Sequence, residues 1–360
     1  MAEMHSNALI LELEDKRPFP KQPFLQAKKA LTQVQIQQLT EVATENFIEL
    51  IPLQQSFSHL EYVLKYPCYS HLRELENTIG EICPQNPDSI ALSTALLESA
   101  AEVFPKSIYL HLGSDEVWSI GSCERCKKTG RTNGELMIQY VNQLIDIACK
   151  LGKKPLIWCD MFLNCTKEEL TKLDKRVIAV VWMYDGNDLC YQASKMIDMF
   201  IEAGLCVWGG CSVRCWDKSG EQNYPLLGNR KANILAWGKL IQKYALEGIV
   251  NTNWSAYSAL ASPYGVYETS FYPCFFAASC AWNRAESSQA FLGRYLRQFH
   301  GVEDISFLSE GWQFEDYYRL LPRLHAQLKR GQEMCTLMEA VAEYECVTKE
   351  NFPASLQLFR

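Results

Sequence analysis

The sequence predicts an α/β fold built around a parallel sheet, and two observations support this. Short apolar runs rich in β-branched residues recur along the chain, and longer segments of helical periodicity lie between them. The chain has 360 residues, of which 48% are hydrophobic, so it can bury a core as large as a barrel requires. Alternation of this kind indicates βα units that repeat along the chain.

Seven runs have the length and composition of buried strands. In chain order they cover residues 8–13, 47–53, 107–113, 155–161, 177–183, 205–210 and 248–254. Because two parallel neighbours need a crossover connection, a helix is expected between successive strands. Helical periodicity is found at 32–46, 69–82, 89–103, 132–151, 167–173, 193–203, 231–246 and, after the last strand, 316–344.

Consecutive βα units without a linker favour a TIM-type (β/α)8 barrel over an open doubly wound sheet. The count of strands is one short, and the chain starts only a few residues before the first run, so we expect the first βα unit to be missing. A missing strand would expose two sheet edges, and we therefore expect a truncated or alternatively started product, or an imperfectly assigned reading frame. We assign 1–300 to the barrel and 301–360 to a C-terminal helical extension, which either covers the open edge or pairs two chains into a homodimer.

Charge and cysteine content narrow the class of partner. The formal net charge is −7 with no long basic run, which argues against nucleic acid and anionic membranes and favours a small molecule. No signal peptide or membrane span is recognisable, and the fifteen cysteines are scattered, so we expect a soluble protein of the cytoplasm or nucleus. The pair Cys123-Glu-Arg-Cys126 could be redox-active or half of a zinc site, but no second pair at zinc spacing is evident. A surface loop is therefore predicted, with no metal.

The ends of the predicted strands are rich in acids and aromatic residues. In a parallel barrel these ends form the active site. The stretch "YLHLGSDEVW" ends in Asp115 and Glu116, which can address one ligand only if the backbone leaves the pleat at Gly113 and Ser114. Two close carboxyl groups raise the proton affinity of one of them, which suits glycosidic bond cleavage. Further candidates at strand ends are His59, His111, Trp158, Asp160, Trp182, Tyr184, Trp208, Trp254 and Tyr257.

Each of these residues also has a structural interpretation. Adjacent acids after a strand often cap a helix or face solvent, a single tryptophan is more often core than ligand contact, and most histidines are structural. The agreement in character among several strand ends favours a sugar site, because indoles stack on pyranose faces and carboxylates bind hydroxyls.

The segment "LHLGSDEVW" resembles the His-x-Gly-x-Asp-Glu signature of glycoside hydrolase family 20, the β-N-acetylhexosaminidases. The segments "NALILELEDKRPFP", "IPLQQSFSHLEYVLKYP", "PLIWCDM" and "ASCAWN" resemble in particular a branch with non-secreted members. The resemblance implies an exo-acting, retaining and substrate-assisted hydrolase of terminal N-acetylgalactosamine or N-acetylglucosamine in glycoconjugates, without cofactors.

The resemblance also implies roles for single residues. Asp115 would hold the substrate's acetamide group, and Glu116 would act first as acid and then as base. Trp158, Trp182 and Trp254 resemble indoles that wall the sugar, Asp160 a hydroxyl-binding acid, and His59 and His111 histidines beside the catalytic acid. The family's acetamide-binding Tyr has no match in "VWGGCSV", so Tyr184 or Tyr257 would replace it.

Two other functions remain open from the sequence. The chain could be a catalytically impaired sugar-binding or regulatory protein that keeps the aromatic pocket. It could also act on protein-linked N-acetylglucosamine, although such enzymes typically use two neighbouring Asp residues, which the Asp115-Glu116 pair does not match.

Overall fold

Seven strands form a single sheet in the computed structural model, which describes residues 5–185, 188–215, 225–254, 267–282 and 287–324. The strands are β1 (Ala8–Glu12), β2 (Glu49–Leu53), β3 (Tyr109–His111), β4 (Lys154–Trp158), β5 (Ile178–Trp182), β6 (Cys206–Cys215) and β7 (Ile249–Trp254). Their order in the sheet follows the chain, and the pairs from β1 to β6 are parallel. All seven predicted strands are confirmed.

Helices connect the strands and follow the last one. They are α1 (Gln33–Glu45), α2 (Glu61–Leu64), α3 (Ser89–Val103), α4 (Glu124–Lys127), α5 (Asn133–Lys150), α6 (Lys167–Thr171), α7 (Leu189–Glu202), α8 (Leu227–Tyr244), α9 (Phe271–Trp282), α10 (Ser288–His300) and α11 (Tyr317–Leu324). Capping boxes built on Thr32, Thr132 and Thr166 begin α1, α5 and α6. In each box the threonine oxygen and the third helical residue satisfy amide groups that the first turn leaves unpaired.

Strands in chain order joined by helices make this a TIM-type barrel fold, as predicted. Seven of the eight strands of that fold are present among the described residues, with β1 and β7 at the two edges of the sheet. The central strands are almost continuously buried, as strands covered on both faces must be.

The register of the strands brings their carboxyl ends to one edge of the sheet. Glu12, the last residue of β1, lies opposite Leu53, and Leu53 lies opposite His111 at the end of β3. Trp158 ends β4, and Trp182 ends β5. Residues that directly follow these positions therefore share one face of the fold.

The helix predicted over 69–82 is wrong. A short 3-10 helix, Pro67–Leu72, begins the segment, after which Arg73 pairs with Ile82 in an antiparallel bridge. The amide of Cys83 donates to the carbonyl oxygen of Leu72 at 2.7 Å. We call residues 72–83 the hairpin. Burial of Leu72 and Ile82 on its two arms prevails over the helical periodicity of the segment.

Contacts between residues divide the chain into two compact units, Met1–Gly210 with Leu240–Val250, and Cys211–Lys239 with Asn251–Arg360. In the second unit, aromatic side chains of α9, α10 and α11 pack together, and Tyr272 stacks on Tyr317 with ring centroids 4.0 Å apart. The C-terminal helical extension is thus present up to residue 324, and the remainder of the predicted 316–344 helix lies outside the described residues. The assigned boundary at residue 300 stays a prediction.

No helix in the described part of the chain combines the length and the apolar character that crossing a membrane would require.

Candidate active site

The backbone leaves the sheet directly after β3, as the Gly-Ser step predicts. Gly113, Ser114 and Glu116 have φ values of +66°, +71° and +53°. Glycine is required at the first of these positions, because a Cβ atom there would lie 1.8 Å from Oε1 of Gln55. These positive φ angles interrupt the alternation of a strand, so consecutive side chains can turn to the same side.

Asp115 and Glu116 meet at one imidazole ring. Nε2 of His59 lies 3.4 Å from Oδ2 of Asp115 and 3.5 Å from Oε2 of Glu116. His59 itself has φ +50° in the loop after β2. The two adjacent carboxyl groups therefore face a common space instead of opposite sides of the sheet.

Asp115 is held on several sides. The amide Nε2 of Gln55 donates to Oδ1 of Asp115 at 3.1 Å and to Oε1 of Glu12 at 3.0 Å. The hydroxyl of Ser58 donates to the backbone carbonyl oxygen of Asp115. The loop after β2 thus fixes both the side chain and the backbone of the first acid.

The surroundings raise the pKa values of three ionisable groups in the site. The hydrogen bond to Asp115 raises the pKa of His59 to about 9, so the imidazole is cationic at neutral pH. Burial, followed by the charge of Asp115, raises the pKa of Glu12 to about 7. Burial also raises the pKa of Glu116, with a smaller contribution from Asp115 and an opposing one from His59. Burial therefore makes the carboxyl group of Glu116 easier to protonate than an exposed glutamate.

Asp160 positions the loop that carries the pair. Its Oδ2 accepts a hydrogen bond from the backbone amide of Glu116 at 2.8 Å, and its Oδ1 accepts one from Nε1 of Trp182 at 3.4 Å. Burial raises the pKa of Asp160 to about 6. The indole of Trp182 stacks on Tyr184 with ring centroids 4.9 Å apart. Asp160 therefore links the pair of Trp182 and Tyr184 to residues 113–116, which we call the acid loop.

His111 and Trp158 form a buried layer beneath this loop. Their ring centroids are 4.4 Å apart, and Nδ1 of His111 accepts a hydrogen bond from the amide of Gly113 at 3.1 Å. Burial lowers the pKa of His111 to about 3, so the ring is neutral and carries its proton on Nε2. His111 supports the start of the acid loop.

Among the predicted site residues, Trp208 lies away from the acids. Trp208 packs on Tyr109, the first residue of β3, with ring centroids 5.2 Å apart, which places it towards the amino-terminal ends of the strands. Its assignment to the sugar site is corrected here, because its position in β6 lies two residues before that of Gly210, which pairs with the strand end at Trp182. Trp254 ends β7 in the second unit. Tyr257 lies outside the described residues.

Sequence reasoning missed Glu12 and Gln55. It extended the first strand to residue 13, whereas β1 ends at Glu12. Gln55 follows β2 by two residues, as Ser114 and Glu116 follow β3 at short distance, so its position after a strand was the available signal.

A close pair of carboxyl groups around one imidazole, with aromatic side chains beside it at the carboxyl edge of a TIM-type barrel, defines the class of glycoside hydrolases. The sequence matches the catalytic domain of glycosyl hydrolase family 20 over residues 9–201, more than half of the chain. The chain belongs to this family, which confirms the resemblance that its motifs indicate.

Two curated relatives come from the branch that the flanking segments resemble. The chain is 25% identical over 267 residues to hexosaminidase D of Bos taurus, covering 70% of this chain and 76% of that protein. It is 26% identical over 264 residues to hexosaminidase D of Homo sapiens, covering 70% of this chain and 54% of that protein. The chain thus spans about half the length of the human relative.

Solved structures show the same fold. A β-N-acetylhexosaminidase from Bacteroides fragilis aligns with a TM-score of 0.63 at 15% identity, over 87% of this chain and 66% of that one. A family 20 exo-β-N-acetylglucosaminidase from Vibrio harveyi, in complex with N-acetylglucosamine, aligns with a TM-score of 0.59 at 18% identity, over 82% of this chain and 53% of that one.

Proposed function

We propose that this chain is an exo-acting β-N-acetylhexosaminidase that cleaves terminal, non-reducing N-acetylgalactosamine or N-acetylglucosamine from glycoconjugates with retention of configuration. The observation that supports this most directly is the convergence of Asp115 and Glu116 on His59, within 3.5 Å. Membership in family 20 supports hexosaminide chemistry, and it does not favour a binding protein without catalysis.

The mechanism proposed is substrate-assisted. The oxygen of the sugar's 2-acetamido group attacks the anomeric carbon, and the bond to the leaving oxygen breaks as Glu116 protonates that oxygen. Glu116 then takes a proton from the water that opens the oxazolinium ring, which restores the free sugar. A proton donor benefits from a pKa above the usual carboxyl value, and burial shifts the pKa of Glu116 in this direction.

Asp115 serves the internal nucleophile in this scheme. Its carboxylate would accept a hydrogen bond from the acetamide N–H and stabilise the positive charge that develops on the oxazolinium ring. The amide of Gln55 and the imidazole of His59 hold Asp115 on two sides. Trp182, which stacks on Tyr184, would form one wall of the sugar site, and the hydrogen bonds of Asp160 hold Trp182 and the backbone of Glu116 in place.

The proposed location of the protein is the cytoplasm or nucleus.

The test separates the roles of the two acids. We would assay Asp115→Asn and Glu116→Gln with two N-acetyl-β-hexosaminides, one with a nitrophenyl and one with a more acidic dinitrophenyl leaving group. Glu116→Gln should lower kcat about 10²- to 10⁴-fold on the first substrate and much less on the second, because the second leaving group needs little protonation. Asp115→Asn should slow both substrates, by about 10²- to 10³-fold.

A surface variant provides the control for this test. Glu41→Gln removes one exposed carboxylate on α1 and should keep the parental rate. A thiazoline analogue of the oxazoline should inhibit, and proton NMR should show the β-anomer as the first product. The proposal fails if the folded protein has no turnover between about pH 4 and pH 8. Sugar binding detected by tryptophan fluorescence without turnover would instead support a binding protein.

A further inference from the structure

Three cysteines and one glutamate lie together, and none of them is a candidate active-site residue. The carboxylate of Glu74 and the thiols of Cys83, Cys123 and Cys126 present one ligand atom each, and these four atoms all lie within 4.8 Å of one another. The Cys-Glu-Arg-Cys segment, predicted as a surface loop, forms the short helix α4, in which Glu124 and Arg125 are exposed and Cys126 is buried. The additional groups come from the hairpin, about 40 residues earlier in the chain, where sequence spacing gave no indication of them.

Three of the six distances between these atoms are close to those of a tetrahedral site, and the other three are no longer than 4.8 Å. A zinc ion with Zn–S bonds of about 2.3 Å and a Zn–O bond of about 2.0 Å separates sulfurs by about 3.8 Å and sulfur from oxygen by about 3.5 Å. Here the sulfur of Cys83 lies 3.5 Å from that of Cys123 and 3.7 Å from that of Cys126. The sulfur of Cys126 lies 3.4 Å from Oε2 of Glu74.

The same distances do not describe a disulfide. A disulfide requires sulfurs about 2.05 Å apart, and each of the thirteen cysteines that the structure describes is free. Three thiols converging on one point exceed what a single disulfide could use. Soft thiolates with one carboxylate are a ligand set that favours zinc among the common divalent metals.

The surroundings also fit a cation. Glu74 is 2% exposed, and Cys83 and Cys126 are each 1% exposed. Among the described residues, Glu74 takes part in no ion pair. A buried carboxylate without a counter-charge is costly. A divalent ion would supply that charge.

The backbone is arranged as a ligand loop requires. Cys123 precedes the first turn of α4, and its sulfur accepts the backbone amide of Cys126 at 3.4 Å. The amide of Cys123 donates to Oε1 of Glu74 at 2.9 Å, which leaves Oε2 directed at the thiols. Hydrogen bonds of this kind stabilise a thiolate and orient the carboxylate as a ligand.

We propose that Glu74, Cys83, Cys123 and Cys126 bind one structural zinc ion. The ion would tie the hairpin to the segment that follows the acid pair. The hairpin already contacts this segment, since Oε2 of Glu81 accepts from the backbone amide and the hydroxyl of Ser119 at 2.7 and 2.8 Å. Its role is to anchor the acid loop, and all four positions of a tetrahedral ion are filled by protein, which is the arrangement of a structural site.

Metal content tests the proposal independently of hydrolysis. We would purify the whole chain under reducing conditions without chelators and measure its metals by mass spectrometry. About one zinc per chain is expected, and replacement by Co²⁺ should produce thiolate-to-cobalt absorption in the near ultraviolet with tetrahedral visible bands. Chelation should lower the Tm, because a ligand that binds only the folded state stabilises it.

Variants identify the ligands. Cys83→Ser and Cys123→Ser should bring zinc close to zero, while Glu74→Gln should keep the near-ultraviolet bands and lower the affinity at least tenfold. Cys149→Ser, a half-buried cysteine on α5 outside the cluster, is the matched control and should retain one zinc. If the serine variants do not fold, zinc release from the parental chain on thiol modification supplies the same information.

Three results would overturn the proposal. The first is a folded, reduced chain that neither contains zinc nor takes up Zn²⁺ or Co²⁺ in a one-to-one ratio. The second is an intact mass two hydrogens lower than expected under these conditions, with a disulfide mapped to two of the three cysteines. The third is full zinc content in folded Cys83→Ser.

Discussion

His59 and Asp115 form a contact in which Nε2 of the imidazole lies 3.4 Å from Oδ2 of the carboxylate. The two residues follow different strands, β2 and β3, and both depend on backbone with positive φ nearby. This contact raises the pKa of His59 to about 9. A fixed cation therefore lies beside the carboxylate that is proposed to face the substrate's acetamide.

The raised pKa of His59 predicts how this contact contributes to stability. The folded state binds the imidazole proton more tightly than the unfolded state, whose pKa is near 6.5. The stabilisation is therefore complete below about pH 6.5 and is lost as the pH rises through about 9. Because a third of the side chain is exposed and screened by solvent, we expect about 1 kcal/mol.

Urea unfolding of the parental chain and of His59→Gln, each at about pH 6 and about pH 9.5, measures this contribution. Glutamine keeps an amide donor but no titrating group. The difference in free energy of unfolding between the two proteins should shrink at the higher pH. An equal difference at both pH values would contradict the prediction.

The raised pKa of Glu12 predicts that the stability of the fold falls as this carboxyl group ionises. A salt-bridged carboxylate would have the opposite effect. The pKa of Glu12 is raised from 4.5 to about 7, so the folded state prefers the protonated carboxyl, and ionisation destabilises the fold as the pH rises from about 4.5 to about 7. Glu12→Gln removes this titration and keeps an oxygen that can accept from Gln55. We expect the variant to gain about 3 kcal/mol on the parental chain between about pH 4.5 and pH 8.

Denaturant unfolding at these two pH values is the measurement. Glu45→Gln, an exposed acid at the end of α1, is the control and should leave the curve of the parental chain unchanged. A gain of the same size for the Glu45 variant would show that overall charge, not burial of Glu12, causes the effect.

The fold could be predicted because its strands are buried on both faces and read as continuous apolar runs, as β5 does. The hairpin could not, because its bridge between Arg73 and Ile82 depends on contacts that helical periodicity does not contain. For the same reason sequence spacing did not reveal that Glu74 and Cys83 lie near Cys126.

The part of the site that could be predicted is the part whose position depends only on the direction of the strands. Asp115 and Glu116 follow a strand, and every parallel strand ends at the same edge. Trp208 was assigned wrongly because it lies in β6 two residues before Gly210, which pairs with Trp182 at the end of β5. This register depends on the neighbouring strand and could not be obtained from β6 alone. Glu12 and Gln55 were missed because their link, one amide shared between two acids, exists only after β1 and β2 have paired.

Gly113 tests the geometry of the acid loop. A methyl group at this position would lie 1.8 Å from Oε1 and 3.2 Å from the Cα atom of Gln55, and φ is +66°. Gly152 has a similar φ of +73° but nothing within 4 Å of its Cβ position. Gly113→Ala should therefore cost more than about 3 kcal/mol and abolish turnover, while Gly152→Ala should cost about 1 kcal/mol. Thermal unfolding and the hexosaminide assay measure the two effects, and equal losses of Tm would contradict the close approach to Gln55.

Trp182 and Trp208 provide a matched pair for the sugar-binding wall. Nε1 of Trp182 donates to Asp160 at 3.4 Å, and Asp160 in turn holds the amide of Glu116. Trp182→Phe keeps an aromatic face but removes this donor and shortens the wall, so KM should rise about threefold to tenfold and kcat should fall by a similar factor. Trp208→Phe should lower the Tm, because it removes part of the packing on Tyr109. It should leave KM within about twofold of the parental value, because Trp208 lies away from the proposed sugar site. Steady-state kinetics on one N-acetyl-β-hexosaminide, with Tm values for both variants, separates the two positions. A rise in KM for Trp208→Phe as large as that for Trp182→Phe would return Trp208 to the sugar site.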